Sequence, residues 1–489
     1  MICVEMLGIG KKITLMVIRN NSLDKVFFEL MEEVENANSW KKFKPAIIEL
    51  RNFKKDVLAS NNSNKLIIAV KRNGGYVYHK EIDVFKDGID DERNIFIVER
   101  LIKTILWTVG GYEIYIAGSK VIADAIKSYY QNGGLRDFDY HFMGRVYENE
   151  VKVFECTYDT IPAEVKSSFP ALGNLKGKRI GFDAGGSDRK TSCLIDGETI
   201  YSEEVVWFPK LNSDPNYHYD HIYEAMRNGV EKLGGDVDAI GVSSAGVYID
   251  NKAMVASLFI KVAEDDFNRK IKNIYIDVVH QLERELGHPI SLAVANDGDV
   301  TALAGAMDLN DTGVLGIAMG TSEAVGYVDA KGNLTGWLNE LAFVPVDFDK
   351  DAMVDEWSLD FGVGCKYFSQ DAVIKWAGYA GLEIDESLSL AEKLKYVQKL
   401  NNEGNKVAHA IFETIGYYLA YALAYYAEFY DIKHVMILGR VTSGLGGDSI
   451  LEVCKKVLAS QFPEYQFNLC MPTEYMRRVG QSIAAASLS

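Results

Sequence analysis

Three short turns carry the residue types from which a nucleotide site could be built. The first is Gly181-Phe-Asp-Ala-Gly-Gly-Ser-Asp-Arg-Lys190. Adjacent glycines at 185 and 186 remove two Cβ atoms, so the backbone can approach a bulky anion and offer its N–H groups. Asp183, at a strand end, can hold a phosphate-bound magnesium directly or through water. Ser187 and Lys190 add a hydroxyl and a point charge. Taken alone, the stretch fits equally well a hairpin whose glycines serve only its turn. It is not a P-loop, because that motif ends in Gly-Lys-Ser/Thr and a helix, whereas position 189 is Arg and a strand follows.

The second turn follows the apolar run Ile290–Ala295 and reads Asn296-Asp297-Gly298-Asp299. A carboxylate at the carboxyl end of a strand can accept a proton from a hydroxyl as it attacks phosphorus. The competing role is capping of the following helix, expected over Val300–Met307. With two aspartates and an asparagine there are enough groups for both. The third turn, Gly320-Thr-Ser322, joins an expected strand Gly313–Met319 to a returning one, Glu323–Val328, closed at Asp329-Ala-Lys-Gly332. This repeats the plan of residues 179–197, and two such hairpins are far more specific than one. A glycine run from Gly439 to Gly447, with Gly444 inside it, follows the strand His434–Leu438 and lets a flat adenine lie against backbone.

The elements that must position these turns can be read from periodicity. Helices are expected over Leu23–Val34, Ala46–Leu58, Asn94–Val109 and Val121–Tyr130, with strands at Lys65–Lys71 and Gly75–Ile82 around Asn73-Gly74. Glu113–Ala117, Asp139–Arg145 and Glu150–Cys156 read as further strands, and residues 162–178 as a linker. Beyond it, helices are expected over Tyr219–Leu233, Ile271–Leu286, 408–430 and Asp448–Gln461, with a buried strand at Asp238–Ser243. His79 and His141 stand isolated among apolar and aromatic neighbours and read as structural.

The 489 residues, 48% hydrophobic and 25% charged, are ordinary for a globular protein of two or three domains. Residues 1–175 hold 24 basic and 24 acidic side chains, so the remainder carries the whole net charge of −17. That balance argues against nucleic acid or an anionic membrane as the main partner. Six cysteines without a C-x-x-C pair fit reduced thiols. With no signal-peptide pattern at the start, the expected location is cytoplasmic.

Together the motifs resemble the ROK family of sugar kinases and repressors, within the actin-like ATPase superfamily that also holds the hexokinases. The resemblance covers residues about 178–489. Asp183-x-Gly-Gly-Ser-x-x-Lys190 looks like the family's first phosphate motif, and Gly241-Val-Ser-Ser-Ala-Gly246 is similar to its Gly-Ile-x-x-Pro-Gly turn, with Ala245 for proline. Asn296-Asp297 matches the family's Asn-Asp pair, which implies that Asp297 is the catalytic base. Gly320-Thr321 matches the second phosphate motif, and Leu438-Gly439 starts the adenosine motif, with Arg440 in place of a glycine. Glu340 aligns with the sugar-binding Glu, while Phe343 stands where the pattern has His. Ser257 falls where a sugar-binding Asn is found. The family's zinc motif would fall near Asp360–Cys365, where Cys365 is the one cysteine present, so no zinc is expected. The acidic run Asp347, Asp349, Asp351 and Asp355 in the same region reads by default as a solvated loop, with a cation site as the alternative.

The resemblance implies an α/β fold of two actin-like (ribonuclease H-like) lobes around a nucleotide cleft, residues 176–311 and 312–489, with the C-terminal helix returning to the first lobe. An accessory α/β domain, residues 1–175, precedes them and is expected to add little to nucleotide binding. The implied activity is ATP- and Mg²⁺-dependent phosphorylation of a sugar or sugar-like hydroxyl. ATP would be held by Gly185, Gly186, Ser187, Lys190, Gly320, Thr321, Ser322, Gly439 and Gly444. The substrate would be held by Ser257, Asn296, Asp297 and Glu340, and the metal by Asp183. A homodimer is compatible with this reading. The alternative is a pseudokinase that senses sugar or nucleotide without turnover.

Overall fold

The structure is a computed structural model that describes residues 43–172, 174–473 and 480–488. The expected helix over Leu23–Val34 lies outside the described residues. Three sheets organise the chain.

The first sheet belongs to the N-terminal unit and has the order β2-β1-β3-β4. Its strands are β1 (Ser63–Lys71), β2 (Val77–Phe85), β3 (Glu113–Ala117) and β4 (Lys152–Cys156). The Asn73-Gly74 turn joins β1 to β2 antiparallel, with Lys71 opposite Val77. Helices Ala46–Ser60, Asp91–Thr108 and Lys120–Tyr129 fall where periodicity places them. Residues 139–145 do not form a strand. They lie in the helix Asp137–Tyr147, whose buried residues Asp139, Met143, Val146 and Tyr147 recur at helical spacing. The linker is not free chain: Val165 bridges Val77, and Phe169–Pro170 forms a short strand, β5.

The other two sheets repeat one plan. β6 (Lys178–Ala184), β7 (Asp188–Ile195) and β8 (Glu198–Val206) form an antiparallel meander. β9 (Ala239–Ser244) lies parallel to β6, a small hairpin of β10 (Val247–Ile249) and β11 (Lys252–Val255) follows, and β12 (Ser291–Asn296) lies parallel to β9. The order is β12-β9-β6-β7-β8. In the second lobe the meander is β13 (Val314–Met319), β14 (Glu323–Val328) and β15 (Asn333–Leu334), with β16 (His434–Leu438) and β17 (Asn468–Cys470) added parallel to β13. Its order, β17-β16-β13-β14-β15-β5, is that of the first lobe with β5 added at the edge. Two meander-plus-parallel sheets of the same order are the ribonuclease H-like halves of the actin-like fold.

The lobes exchange helices. The last helix, Gln481–Ala486, lies on the first lobe, where a Cβ on Gly181 or on Gly241 would sit 1.7 Å from its carbonyl oxygens. The helix Asp297–Leu309, which begins at the end of β12, packs on β13 and β14 of the second lobe. Asp297 therefore stands at the crossing between lobes.

The N-terminal unit is not a separate body. Leu50, Phe53, Leu101 and Trp107 share one hydrophobic core with Leu315, Phe348, Tyr425 and Ile437 of the second lobe. Across this boundary the Thr104 and Tyr425 hydroxyls hydrogen-bond at 2.8 Å, and Lys54 pairs with Glu428 at 2.9 Å. Among the described residues no helix is long and apolar enough to cross a membrane.

Candidate active site

Parallel pairing places the ends of β6, β9 and β12 in one row, with Asp183 opposite Ser243 and Ser243 opposite Ala295. The Ser243 hydroxyl donates to Asp183 Oδ1 at 2.7 Å. Asp183 is buried and its pKa is pushed up to about 6, first by that burial; Ser243 opposes the shift, and the charge of Asp297 adds to it.

Neither aspartate of the second turn is the helix cap. Asn296 takes that place, its Oδ1 accepting from Gly298 N and its Nδ2 donating to the Gly246 carbonyl, both at 2.7 Å. Asp297 is thereby left in the first turn, half-buried, with Oδ1 also accepting from Gly298 N at 3.1 Å. Burial raises its pKa, while the Gly298 N–H and the charge of Lys210 oppose that rise. Asp299 is buried and structural: its Oδ1 accepts from Tyr327 N at 3.2 Å and from Asn339 Nδ2 at 2.8 Å. Burial pushes it up to about 7. Asn339 in turn accepts from the Tyr430 hydroxyl at 2.9 Å, so Asp299 ties the helix start to β14 and to the loop carrying Glu340.

Glu340 faces the same charges. Its pKa is pushed up to about 7 by burial and then by Asp297 and Asp299. The N-terminal unit holds its backbone, because Asn339 N donates to Thr108 O and Glu340 N to Trp107 O, each at 2.9 Å. Phe343, where the resemblance expects a histidine, packs on Trp107 with ring centroids 4.3 Å apart.

The glycine turns lie at the surface of the cleft. Gly186 and Ser187 are exposed, with the Gly185 carbonyl fixed by Trp207 Nε1 at 2.7 Å. The Ser187 hydroxyl donates to Asp188, and Lys190 lies close enough to draw the Asp183 carboxyl down. Thr321 and Ser322 are exposed beside Gly320, whose N–H donates to Ser322 O at 2.9 Å. Gly439, at φ +99°, closes over the same strand end: a Cβ there would lie 2.5 Å from the Met319 carbonyl oxygen. Gly444, at φ +68°, precedes the helix Leu445–Gln461. Ser257 is exposed in the turn Ser257–Phe259, which packs against Pro209–Leu211; among the described residues no hydrogen bond ties it to the carboxylates.

Two groups at the site escaped sequence reasoning. Lys210, from the turn Pro209–Leu211, reaches Gly186, where a Cβ would lie 3.2 Å from Lys210 Cε, and its charge acts on Asp297. Glu323, at the start of β14, is buried, and among the described residues neither carboxyl oxygen has a hydrogen-bond partner. Burial and the charge of Glu340 push it up to about 8. No spacing in the sequence marks Lys210, which only the fold brings to the site; Glu323 follows the turn Gly320–Ser322 directly, where it replaces a glycine of the second phosphate motif, but its burial is set by the fold.

Of the acidic run, Asp351 alone is exposed to solvent. Asp347, Asp349 and Asp355 are buried; Asp347 accepts from Lys44 N and Tyr367, and Asp355 from the backbone and hydroxyl of Ser358. Nearby, Asp360 sits in a buried network in which Arg100, Lys103 and Arg136 reach it at 3.0, 3.3 and 2.8 Å and also engage Glu99 and Asp139. Among the described residues no group of three His, Cys, Asp or Glu side chains is arranged to hold a metal.

No family model matches the chain, and no curated protein matches it. Solved structures do. The ROK hexokinase from Thermus thermophilus has a TM-score of 0.48 at 17% identity, over 64% of this chain and 97% of its own. A ROK family glucokinase from Streptomyces griseus, solved with glucose and AMPPNP, has a TM-score of 0.45 at 18% identity, over 64% and 99%. A ROK family transcriptional regulator, described as a homolog of E. coli MLC protein, has a TM-score of 0.49 at 15% identity, over 64% and 79%.

Proposed function

We propose that the chain transfers the γ-phosphoryl group of ATP to a hydroxyl of a sugar or sugar-like acceptor. The observation that carries this reading is the placement of Asp297, which opens the helix after β12 and whose charge acts on both Asp183 and Glu340. In the proposed reaction Asp297 accepts the proton of the attacking hydroxyl. Its raised pKa makes it a stronger base than a solvent-exposed aspartate. Glu340 accepts hydrogen bonds from the acceptor's hydroxyls. Gly185, Gly186, Ser187, Gly320, Thr321 and Ser322 offer backbone and hydroxyl donors to the phosphates, Lys190 and Lys210 offer charge, and Gly439 and Gly444 leave room for the adenine.

The residues present fit a magnesium ion, because Asp183 and Asp297 lie at strand ends of one sheet, close enough for the charge of Asp297 to raise the pKa of Asp183. Asp183 would hold it directly or through water, and it would supply neutralisation of phosphate charge.

The test is sugar-dependent ADP release across hexoses, N-acetylhexosamines and polyols, with Asp297→Asn as control. Turnover with one acceptor class, lost in the variant, supports the reading. A sensor without turnover is the second reading, favoured by Glu323, which follows the turn Gly320–Ser322 and whose buried carboxyl has no hydrogen-bond partner among the described residues. Tight sugar binding with no ADP release in the wild type would select the sensor.

A further inference from the structure

A cavity of about 480 Å³ is lined by residues 293–296 of β12 and walled by all three parts of the chain. Arg72 and Tyr147 come from the N-terminal unit, Phe169 from β5, Tyr248 and Asn296 from the first lobe, and Trp337 from the second. Its lining includes neither Asp297 nor Glu340, and no residue of the glycine turns. The volume is within the range of small-molecule sites, which run from about 300 to 1,000 Å³.

Arg72 decides what the cavity is suited to hold. Its side chain is buried, 4% exposed, and its guanidinium donates to the carbonyls of Thr335 and Gly336 and to the Ser167 hydroxyl. Those acceptors are neutral, and among the described residues no carboxylate lies within ion-pair distance of it. Burial draws its pKa down, with only Tyr147 and Tyr76 opposing. A buried cation without a counter-charge is costly, and an anion brought to it gains both a charge and hydrogen bonds. Two lining carboxylates do not compete: Asp250 is exposed to solvent, and Asp299 is turned toward Tyr327 N and Asn339. The aromatic rings of Tyr147, Phe169, Tyr248 and Trp337 supply flat apolar walls for the body of a ligand.

We propose that this cavity is a second ligand site, for an organic anion of hexose size carrying one phosphate or carboxylate, with Arg72 binding the anionic group. Asn296 borders the site and bonds the Gly246 carbonyl, so an occupant there touches the residue that seats Asp297. The binding claim does not depend on the kinase reading.

The test is calorimetric titration of the full chain with glucose 6-phosphate and with gluconate, using glucose and inorganic phosphate as controls. At least one of the two anions is expected to bind more tightly than both controls, and which one binds tells phosphate from carboxylate. Arg72→Gln should weaken it about ten- to a hundredfold, the range of a charge-assisted hydrogen bond. Phe169→Ala, at a side chain 46% exposed, should weaken it several-fold without moving the melting temperature, and covers the case in which Arg72→Gln does not fold. The proposal is overturned if neither anion binds at millimolar concentration, or if both variants bind as wild type does. It is also overturned if binding is lost in Glu340→Gln while Arg72→Gln retains it, since the ligand would then sit in the cleft.

Discussion

Asp297 and Asp299 are two positions apart, and burial with different partners gives them different work. Asp297→Asn keeps size and hydrogen-bonding shape but cannot take the acceptor proton. Under the proposed reaction its turnover should fall about 10²–10⁴-fold, with nucleotide affinity nearly unchanged. The pH dependence has a definite sign. The base works when ionised, so activity is present at high pH and is lost as pH falls through a pKa raised above the ordinary 3.8. A rate profile whose acid limb persists unchanged in the residual activity of Asp297→Asn would remove the assignment. Asp299→Asn keeps an acceptor for Tyr327 N and Asn339 and should turn over much nearer to wild type. Asp299→Ala leaves both donors unpaired and should cost about 1–3 kcal/mol for each, read by chemical denaturation.

At the scale of elements, β14 starts on a group that opposes its own burial. Glu323 has an ordinary pKa of 4.5 and is pushed up to about 8 in the folded chain. Between those values the folded state holds a proton that the unfolded state has released, so stability falls as pH rises through the window. Glu340, pushed up to about 7, acts in the same sense over a narrower window. Glu323→Gln should therefore be most stabilising near the upper end, and should flatten the decline in denaturation midpoint between about pH 5 and pH 8. A decline as steep as that of the wild type would show that Glu323 does not titrate there. The strands and glycine turns around it could be read from sequence, since alternation and turn residues are local signals: β14 and the Asn73-Gly74 hairpin fall where they were expected. The helix Asp137–Tyr147 could not, because the polar Asp139 occupies a place on its buried face, where it accepts from Lys103 and Trp107. The same holds for Asp347, which looks solvated by type and becomes a buried acceptor through the distant partners Lys44 and Tyr367. Lys210 joins the site through tertiary packing alone, so no motif marks it, whereas Glu323 follows a motif directly and only its burial depends on packing.

At the scale of the molecule, the N-terminal unit is joined to the second lobe by core and by charge. Removing the Asp360 carboxylate leaves Arg100, Lys103 and Arg136 short of an anion in a place where all are nearly fully buried, and breaking such a network costs about 3–5 kcal/mol. Asp360→Ala should show that loss together with a raised KM for the acceptor, because the helix Asp91–Thr108 carries Arg100, Lys103 and the carbonyls that seat Asn339 and Glu340. The larger consequence concerns truncation. From motif positions alone, a chain starting near Leu175 should keep nucleotide binding, since each glycine turn lies beyond it. The shared core argues otherwise. Without residues 46–156, Phe348, Tyr425 and Ile437 lose apolar partners such as Phe53, Leu101 and Trp107, and the hydrogen bonds to residues 338–340 go with them. A freshly exposed apolar face of that kind leads to aggregation or to loss of the lobe's fold. The truncated chain should therefore be insoluble or lack a cooperative melt, and the intact chain should unfold its N-terminal unit and second lobe in one transition. Calorimetry on both chains decides it: a soluble 175–489 fragment that melts cooperatively and binds ATP as the full chain does would show that the shared core is dispensable.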